Sequence, residues 1–392
     1  MCLGQSSGDL FSTLCKTLVL LQSVKNKAVS KKKILFIANH RLGRSPGQRF
    51  RFEQYISYLE QNGFYCELSH FISEEDDKIL YSPKKWLNKA KLARKAWDIR
   101  KKDLARANEF DVIFIYREAL LTRSTRFERL FSKTKAKVVF DFDDAIWLPN
   151  VSAANQRLQF LKNPSKINKI LPLVDLVFAG NQYLADYAKQ FNQRVEIVPT
   201  TINLNYHRTK AFEKEKNQIC IGWTGTQTTL RYLDELIPVF KKLKNRYGGK
   251  LKLKVICDTP WISSEIEVDN VSWSSADEIL QLDEIDIGIM PLTDDKWSKG
   301  KCGFKALQFM ALKKAVVVSP VGVNAEIVED KKNGFWAKSS EDWFRSLSLL
   351  IEDKMLRKSF GENAHKTIKE KFSVDAWKAI YLKQLNELIE KK

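Results

Sequence analysis

Residues 297–322 read WSKGKCGFKALQFMALKKAVVVSPVG, and two periodicities meet in them. Gly300 and Gly303 bracket Lys301, after which FKALQFMA places apolar residues at helical spacing. The run AVVVS over 315–319 is continuous and β-branched, as a strand buried on both faces requires. Pro320 and Gly322 then form a turn, and Asn324 and Glu326 open another helix. Helix, buried strand, turn and helix make the repeating unit of a parallel α/β sheet. The first of these helices also carries chemistry. Lys301 stands at its entrance and Lys305 in its first turn, where a cation opposes the helix dipole. An anion such as a diphosphate, filling the space between them, removes that conflict. Two solvated lysines in a lysine-rich chain explain the same residues without a function.

Upstream, ICIGW (219–223), KLKVIC (252–257) and IDIGIMP (285–291) have the same strand character. Earlier still come ILFIA (34–38), Tyr65 to Phe71, VIFIY (112–116), VVFDF (138–142), LVFAG (176–180) and VEIVP (195–199), with helical segments between most of them. A polar, charged stretch around 206–218 separates the two series. The pattern predicts a loose extension over 1–30 and a Rossmann-like domain over 31–208. A second such domain follows over 209–372, then a closing helix over 373–392 that packs back on the first domain.

Composition fits this plan. A chain of 392 residues with 44% apolar and 29% charged residues has material for two cores. Six dispersed cysteines without a CxxC pair, and only four histidines, argue against a structural zinc site and for reduced thiols. The apolar stretch from Leu10 to Leu21 is broken by Lys16 and lacks the flanks of a signal peptide. No apolar run is long enough to span a bilayer, so a cytoplasmic protein is expected. The formal charge of +19 draws the chain toward polyanions. Much of it lies on a basic helix near 83–108, which carries Lys84, Lys85, Lys101 and Lys102 with Trp86 and Trp97 near one face. That helix adds an anionic membrane surface as a candidate peripheral contact. Nucleic acid is not an expected partner, because no RNP, KH, zinc-finger or basic-zipper motif is present.

Ligands of open parallel sheets bind at the carboxyl ends of the strands. Five further segments sit there. GWTGTQTT supplies Gly222, Thr224, Gly225 and Thr226 ahead of a helix, where backbone N–H groups suit an anion. Asp141, Asp143 and Asp144 crowd DFDDAIW; capping explains one of them, and holding a cation or sugar hydroxyls explains more. Arg117 follows VIFIY directly. The loop RLGRSPGQRFR offers Arg41, Gly43, Arg44, Gly47, Arg49 and Arg51 for phosphate or acceptor recognition. SPVGVNAE adds Asn324 and Glu326.

The second half, in GWTGTQTTLRYL and KCGFKALQFMALKKAVVVSPVGVNAEIVEDKKNGF, resembles the donor domain of the GT-B glycosyltransferases, in particular glycosyltransferase family 4. The first half is similar more loosely, through RLGRSPGQRFR, DFDDAIW and DLVFAGNQYLADYAKQFNQRVEIVPTTIN. The chain departs from the family's E-x7-E pattern: Gly300 and Gln308 occupy the two acidic positions. Thr226 and Gln227 replace the usual Arg and Lys, and Ala315 replaces a common proline.

The resemblance implies an α/β fold of two Rossmann-like domains facing across a cleft. It implies transfer of a sugar from a nucleotide-diphosphate donor to a glycan or lipid-linked acceptor in cell-envelope polysaccharide assembly. Configuration is retained, with no metal and no cofactor. Gly222, Thr224, Gly225, Thr226, Lys301, Lys305, Gln308, Asn324 and Glu326 fall to the donor. Gly43, Arg44, Gly47 and Arg49 fall to the acceptor, with Asp143, Asp144 and Arg117 at the reacting centre. A sugar-nucleotide epimerase or hydrolase on the same fold is the rival enzyme class, and a basic nucleic-acid-binding protein the rival outside enzymes.

Overall fold

The computed structural model describes residues 31–80, 86–148, 163–209 and 217–390. The extension over 1–30 and most of the charged stretch near 206–218 lie outside them, as do Lys84 and Lys85. Two six-stranded sheets, all parallel, carry the fold. The first holds β1 (Lys32–Ile37), β2 (Phe64–Ser69), β3 (Val112–Tyr116), β4 (Lys137–Phe142), β5 (Leu176–Ala179) and β6 (Val195–Ile197) in the order β2-β1-β3-β4-β5-β6. The second holds β7 (Ile219–Thr224), β8 (Leu251–Cys257), β9 (Asp269–Ser272), β10 (Ile287–Met290), β11 (Ala315–Val318) and β12 (Phe335–Trp336) in the order β12-β11-β10-β7-β8-β9. Seven helices matter below: α1 (Pro46–Arg51), α2 (Glu74–Leu80), α3 (Trp86–Ala105), α4 (Glu278–Asp283), α5 (Phe304–Ala311), α6 (Asn324–Ile327) and α7 (Val374–Glu390).

The buried runs explain the layering. Ile34 to Ala38 and Val112 to Ile115 are fully buried, because helices cover both sheet faces. One face of the first sheet packs Leu35, Ile113 and Phe140 against Leu92 and Ala96 of α3. Its other face packs Ile34, Phe36 and Phe114 against Tyr381, Leu385 and Leu388 of α7. The last helix of the chain therefore closes the first domain. Tyr381 stacks on Tyr55 at 4.4 Å between centroids, and Lys32 Nζ donates to Asn386 Oδ1 at 2.7 Å. The chain passes between the halves at two adjacent places, tied by Ile202 N to Phe372 O at 2.8 Å and Val374 N to Ile202 O at 3.0 Å.

In each sheet the strand order reverses at one point: between β1 and β3 in the first, between β7 and β10 in the second. Crevices open at the carboxyl ends of such strands. Residues following all four strands line one shared cavity. No helix among the described residues is long and apolar enough to cross a membrane.

The basic helix differs from its sequence reading. Trp97 is not free for an interface: it packs edge-on against Phe127 at 5.0 Å and has Arg126 over its ring. Arg100 is fully buried, where it donates to Asp103 Oδ2 at 2.9 Å and to the carbonyls of Ala38 and Ala119. Helix packing, not membrane contact, accounts for both residues, since α3 must bury one face to stay folded.

Candidate functional site

A cavity of about 1400 Å³ separates the halves. Its floor on the second half is the N-terminus of α5. Gly303 is the cap residue, with φ of 69° and no side chain to satisfy the helix. An added Cβ there would lie 2.1 Å from Ile327 Cδ1, so both the backbone angle and the space demand glycine. The first backbone N–H groups of a helix have no partner within it, so this end presents donors and a positive dipole to the cavity.

Lys305 stands on the same floor. Among the described residues no carboxylate pairs with it; its ammonium lies 5.0 Å from the Trp223 ring centroid. Burial, and then repulsion from Lys301, pull its pKa down to about 7. Gly225 lies against it, since a Cβ there would approach Lys305 Cε at 2.8 Å. Thr226 caps the following turn through a reciprocal pair with Thr229. Thr224, Gly225 and Thr226 all line the cavity.

The opposite wall comes from β3 and β4. Arg117 has φ of 62°, a left-handed angle uncommon for a side-chain-bearing residue. This turn brings its guanidinium onto two carboxylates: Nε donates to Asp143 Oδ1 at 2.9 Å and a terminal nitrogen donates to Asp144 Oδ2 at 2.7 Å. Tyr116 also donates to Asp143 Oδ1, at 2.9 Å. Gly47 permits that contact, because a Cβ there would sit 1.9 Å from the Tyr116 hydroxyl oxygen. Asp144 then reaches across the cleft: Lys301 Nζ donates to its Oδ1 at 2.9 Å. Burial pushes the Asp144 carboxyl up, but Lys301 and Arg117 outweigh it and hold it below the usual carboxylate range.

Several sequence-derived assignments are displaced. Gly222 lies within β7 and faces Ile285, 2.2 Å from where its Cβ would be, so it serves strand packing. Asn324 is fully buried and donates to Ser319 O at 3.1 Å, while Glu326 is exposed; neither lines the cavity. Gly43 is exposed with φ of 76° and also lies outside the lining. Arg51 and Asp141 are wholly buried and bind each other, a structural pair below the site. Arg49 points across the domain junction and donates to Glu278 Oε2 at 2.9 Å. Arg44 does line the cavity and donates to Asp77 Oδ2 at 2.9 Å, beside Arg41.

Sequence reasoning missed Glu278. It is buried at the start of α4, lines the cavity, and accepts from Gln308 Nε2 at 3.1 Å, Trp273 Nε1 at 3.2 Å and Arg49. The signal was faint, because the strand before it, DNVS, has no apolar run. His40, also missed, lines the first half, and burial draws its pKa down to about 4 against the pull of Asp77.

Residues 208–367 match the family model described as glycosyl transferases group 1. This part of the chain is similar to the group 1 glycosyl transferases. The matched residues contribute α5, Lys301, Lys305 and Gln308 to the cavity. An uncharacterized glycosyltransferase of Methanocaldococcus jannaschii is 30% identical over 195 residues, covering 45% of this chain and 48% of that protein. The chain therefore spans about half the length of the curated relative it matches.

Whole-chain likeness is structural. A glycosyltransferase from Rickettsia africae superposes with a TM-score of 0.64 at 16% identity, over 92% of this chain and 100% of that one. Sucrose-phosphate synthase from Thermosynechococcus elongatus gives 0.66 at 11%, over 92% and 100%. Anabaena HepE, solved with UDP and glucose, gives 0.60 at 14%, over 91% and 99%. The architecture is the GT-B fold, two Rossmann-like domains across a cleft, as the resemblance implies.

Proposed function

We propose that this protein is a glycosyltransferase that takes a sugar from a nucleotide-diphosphate donor. The observation that carries this reading is the floor of the cavity: an uncapped helix N-terminus beside an ammonium that no described carboxylate neutralises. A diphosphate answers both, since it accepts from the backbone N–H groups and restores the charge on Lys305. The structural likeness to a protein solved with UDP-glucose supports the same donor class.

Negative charge grows on the diphosphate as the glycosidic bond breaks, so donors fixed there before reaction lower the barrier. Lys301 can serve as a second donor once it leaves Asp144. The acceptor hydroxyl lies against Asp143, Asp144 and Arg117, with Arg44 and Gly47 further out. Asp144, held below the usual carboxylate range by two cations, is a weak base. Its work is orientation. The buried Cys302 thiol is pushed up by its surroundings, which argues against it as a covalent nucleophile. Retention then proceeds with acceptor and leaving group on one face of the sugar, and the departing phosphate oxygen takes the acceptor proton. The Asp143 and Asp144 carboxylates are occupied by Arg117, Tyr116 and Lys301, which supports a reaction that does not use this pair as metal ligands.

The pH dependence of donor binding tests the diphosphate assignment. A bound diphosphate stabilises protonated Lys305, so binding takes up a proton wherever the free enzyme has lost it. Donor affinity is expected to be constant below about pH 7 and to fall as pH rises above it. Calorimetry in buffers of different ionisation heat reads that proton directly. Affinity that is flat from pH 6 to about 9 removes Lys305 from the donor site.

Asp143→Asn and Asp144→Asn are expected to impair acceptor use while sparing the donor. Because Asp144 holds Lys301, Asp144→Asn should leave donor affinity unchanged or tighter. Loss of donor binding in either variant would put these carboxylates on the other side of the reaction. Release of free sugar without transfer to any added acceptor would favour a hydrolase instead.

A further inference from the structure

The loop that carries Lys301 belongs to the second half of the chain, yet the first half holds it. A Cβ at Gly300 would lie 2.6 Å from Ala145 Cβ and 2.8 Å from Ala145 N, so the loop meets that turn as closely as only glycine allows. Cys302 Sγ donates to Asp143 O at 3.2 Å, and Gly180 leaves room for the sulfur, which would stand 2.4 Å from a Cβ there. One side chain fastens the loop. Asn181 follows β5, is buried, and caps the helix Gln182–Lys189 by accepting from Leu184 N at 2.9 Å. That bond fixes which way the carboxamide points. Its nitrogen then faces the other half, where it donates to Lys301 O at 3.0 Å and to Lys299 O at 3.3 Å. The amide has two hydrogens, and each finds one carbonyl. Asn181 does not line the cavity, so its effect there must pass through the loop.

We infer that Asn181 is a positioning residue for Lys301: by holding the carbonyls of Lys299 and Lys301 it sets where that ammonium stands beside Asp144 and the floor of α5, and it does so only while the two halves are closed on each other. The second half by itself supplies Lys305 and the uncapped end of α5. Lys301 is put in place by the first half. Closing the cleft therefore completes the cationic floor, and a donor bound to an open cleft lacks one of its cations. Binding the donor and activating it are thereby separated, because a group set in place on closure strengthens the transition state more than the ground state. The placement of Lys301 stands by itself; its work on a diphosphate rests on the glycosyltransferase reading.

Asn181→Ser is the variant of choice, since serine caps a helix about as well as asparagine but brings no amide. Brief acetylation of lysines on the full chain, mapped by peptide mass, reads the position of Lys301 without any substrate. In the wild type Lys301, ion-paired and largely covered, should label slowly beside the exposed Lys383. In Asn181→Ser its labelling is expected to rise severalfold, toward the rate in Asp144→Asn, which breaks the ion pair outright. Buried Lys166 and Lys254, one in each half, should stay protected in both variants. Unchanged labelling of Lys301 in Asn181→Ser would overturn the inference, and so would a rise that Lys166 and Lys254 share.

Kinetics with a confirmed donor carry the same test to function. Loss of two hydrogen bonds in Asn181→Ser should lower kcat/KM about tenfold. Because Asn181 acts through Lys301, the same change in a Lys301→Met background should cost less than about twofold. Equal losses in the two backgrounds would overturn the inference. Release of Lys301 by Asn181→Ser, in a protein that turns over no nucleotide sugar, would instead refute the glycosyltransferase reading while the positioning stands.

Discussion

Lys305→Met is expected to lower kcat/KM by about 10²–10³-fold while the melting temperature stays level or rises. Removing one preorganised donor from a developing charge costs about 2.7–4 kcal/mol of transition-state stabilisation. The folded protein gains nothing comparable from Lys305. Burial and the neighbouring Lys301 disfavour its charged form, pulling the pKa to about 7. The sign follows from linkage. The unfolded chain holds this proton up to the ordinary lysine range, whereas the folded protein releases it near pH 7, so the charged side chain weakens folding most below that pH. Methionine keeps the packing against Trp223 and removes the penalty. Steady-state kinetics and a melting curve on one preparation check both halves. A variant with normal turnover on a confirmed donor would show that the diphosphate lies elsewhere.

Asp141→Ala is expected to destabilise the protein by about 3–5 kcal/mol, because it leaves the guanidinium of Arg51 buried without its partner. Arg51 and Asp141 are 1% exposed each, so water cannot take over. The pair also fixes α1 to β4, and hence the Arg44–Gly47 loop to the carboxylates of the site. Replacing both together, Arg51→Met with Asp141→Leu, should recover most of the loss, since a matched apolar pair avoids the desolvation of two ions. Urea unfolding of the single and double variants measures this. Equal losses in the two would mean that the site's damage comes from lost volume and not from an orphaned charge.

How much of this was legible in the sequence depended on what each residue's environment required. Both sheets could be read because their strands are buried on both faces and form continuous apolar runs. β9 and β12 escaped because DNVS and FW are too short or too polar to register. Lys301 and Lys305 were legible because their conflict with the helix dipole is a local property. Gly222 misled because a small residue near a strand end looks the same whether it admits a phosphate or Ile285. Asp141 and Asp143 are alike in sequence, and only the tertiary position of Arg51 makes one of them structural. Arg49 and Glu278 meet across 229 positions, which no local pattern encodes. Trp97 looked like an interface residue until Phe127 supplied it with a core.

The E-x7-E departure also becomes physical in the fold. Gln308, at the second acidic position, donates to Glu278, so a carboxylate stands beside the cavity after all, delivered by α4 instead of α5. An acid at 308 would face that carboxylate at hydrogen-bond distance and be repelled by it.

The central claim is that the floor of this cavity binds the diphosphate of a nucleotide sugar. Titration of UDP-, GDP- and ADP-sugars against the wild-type chain and Lys305→Met, read by calorimetry with melting temperature alongside, tests it most directly. The account predicts that at least one donor binds and stabilises the wild type by mass action. It predicts that the same donor binds the variant much more weakly, with no change in the fold. Failure of every donor to bind, or equal affinity for both proteins, would contradict it.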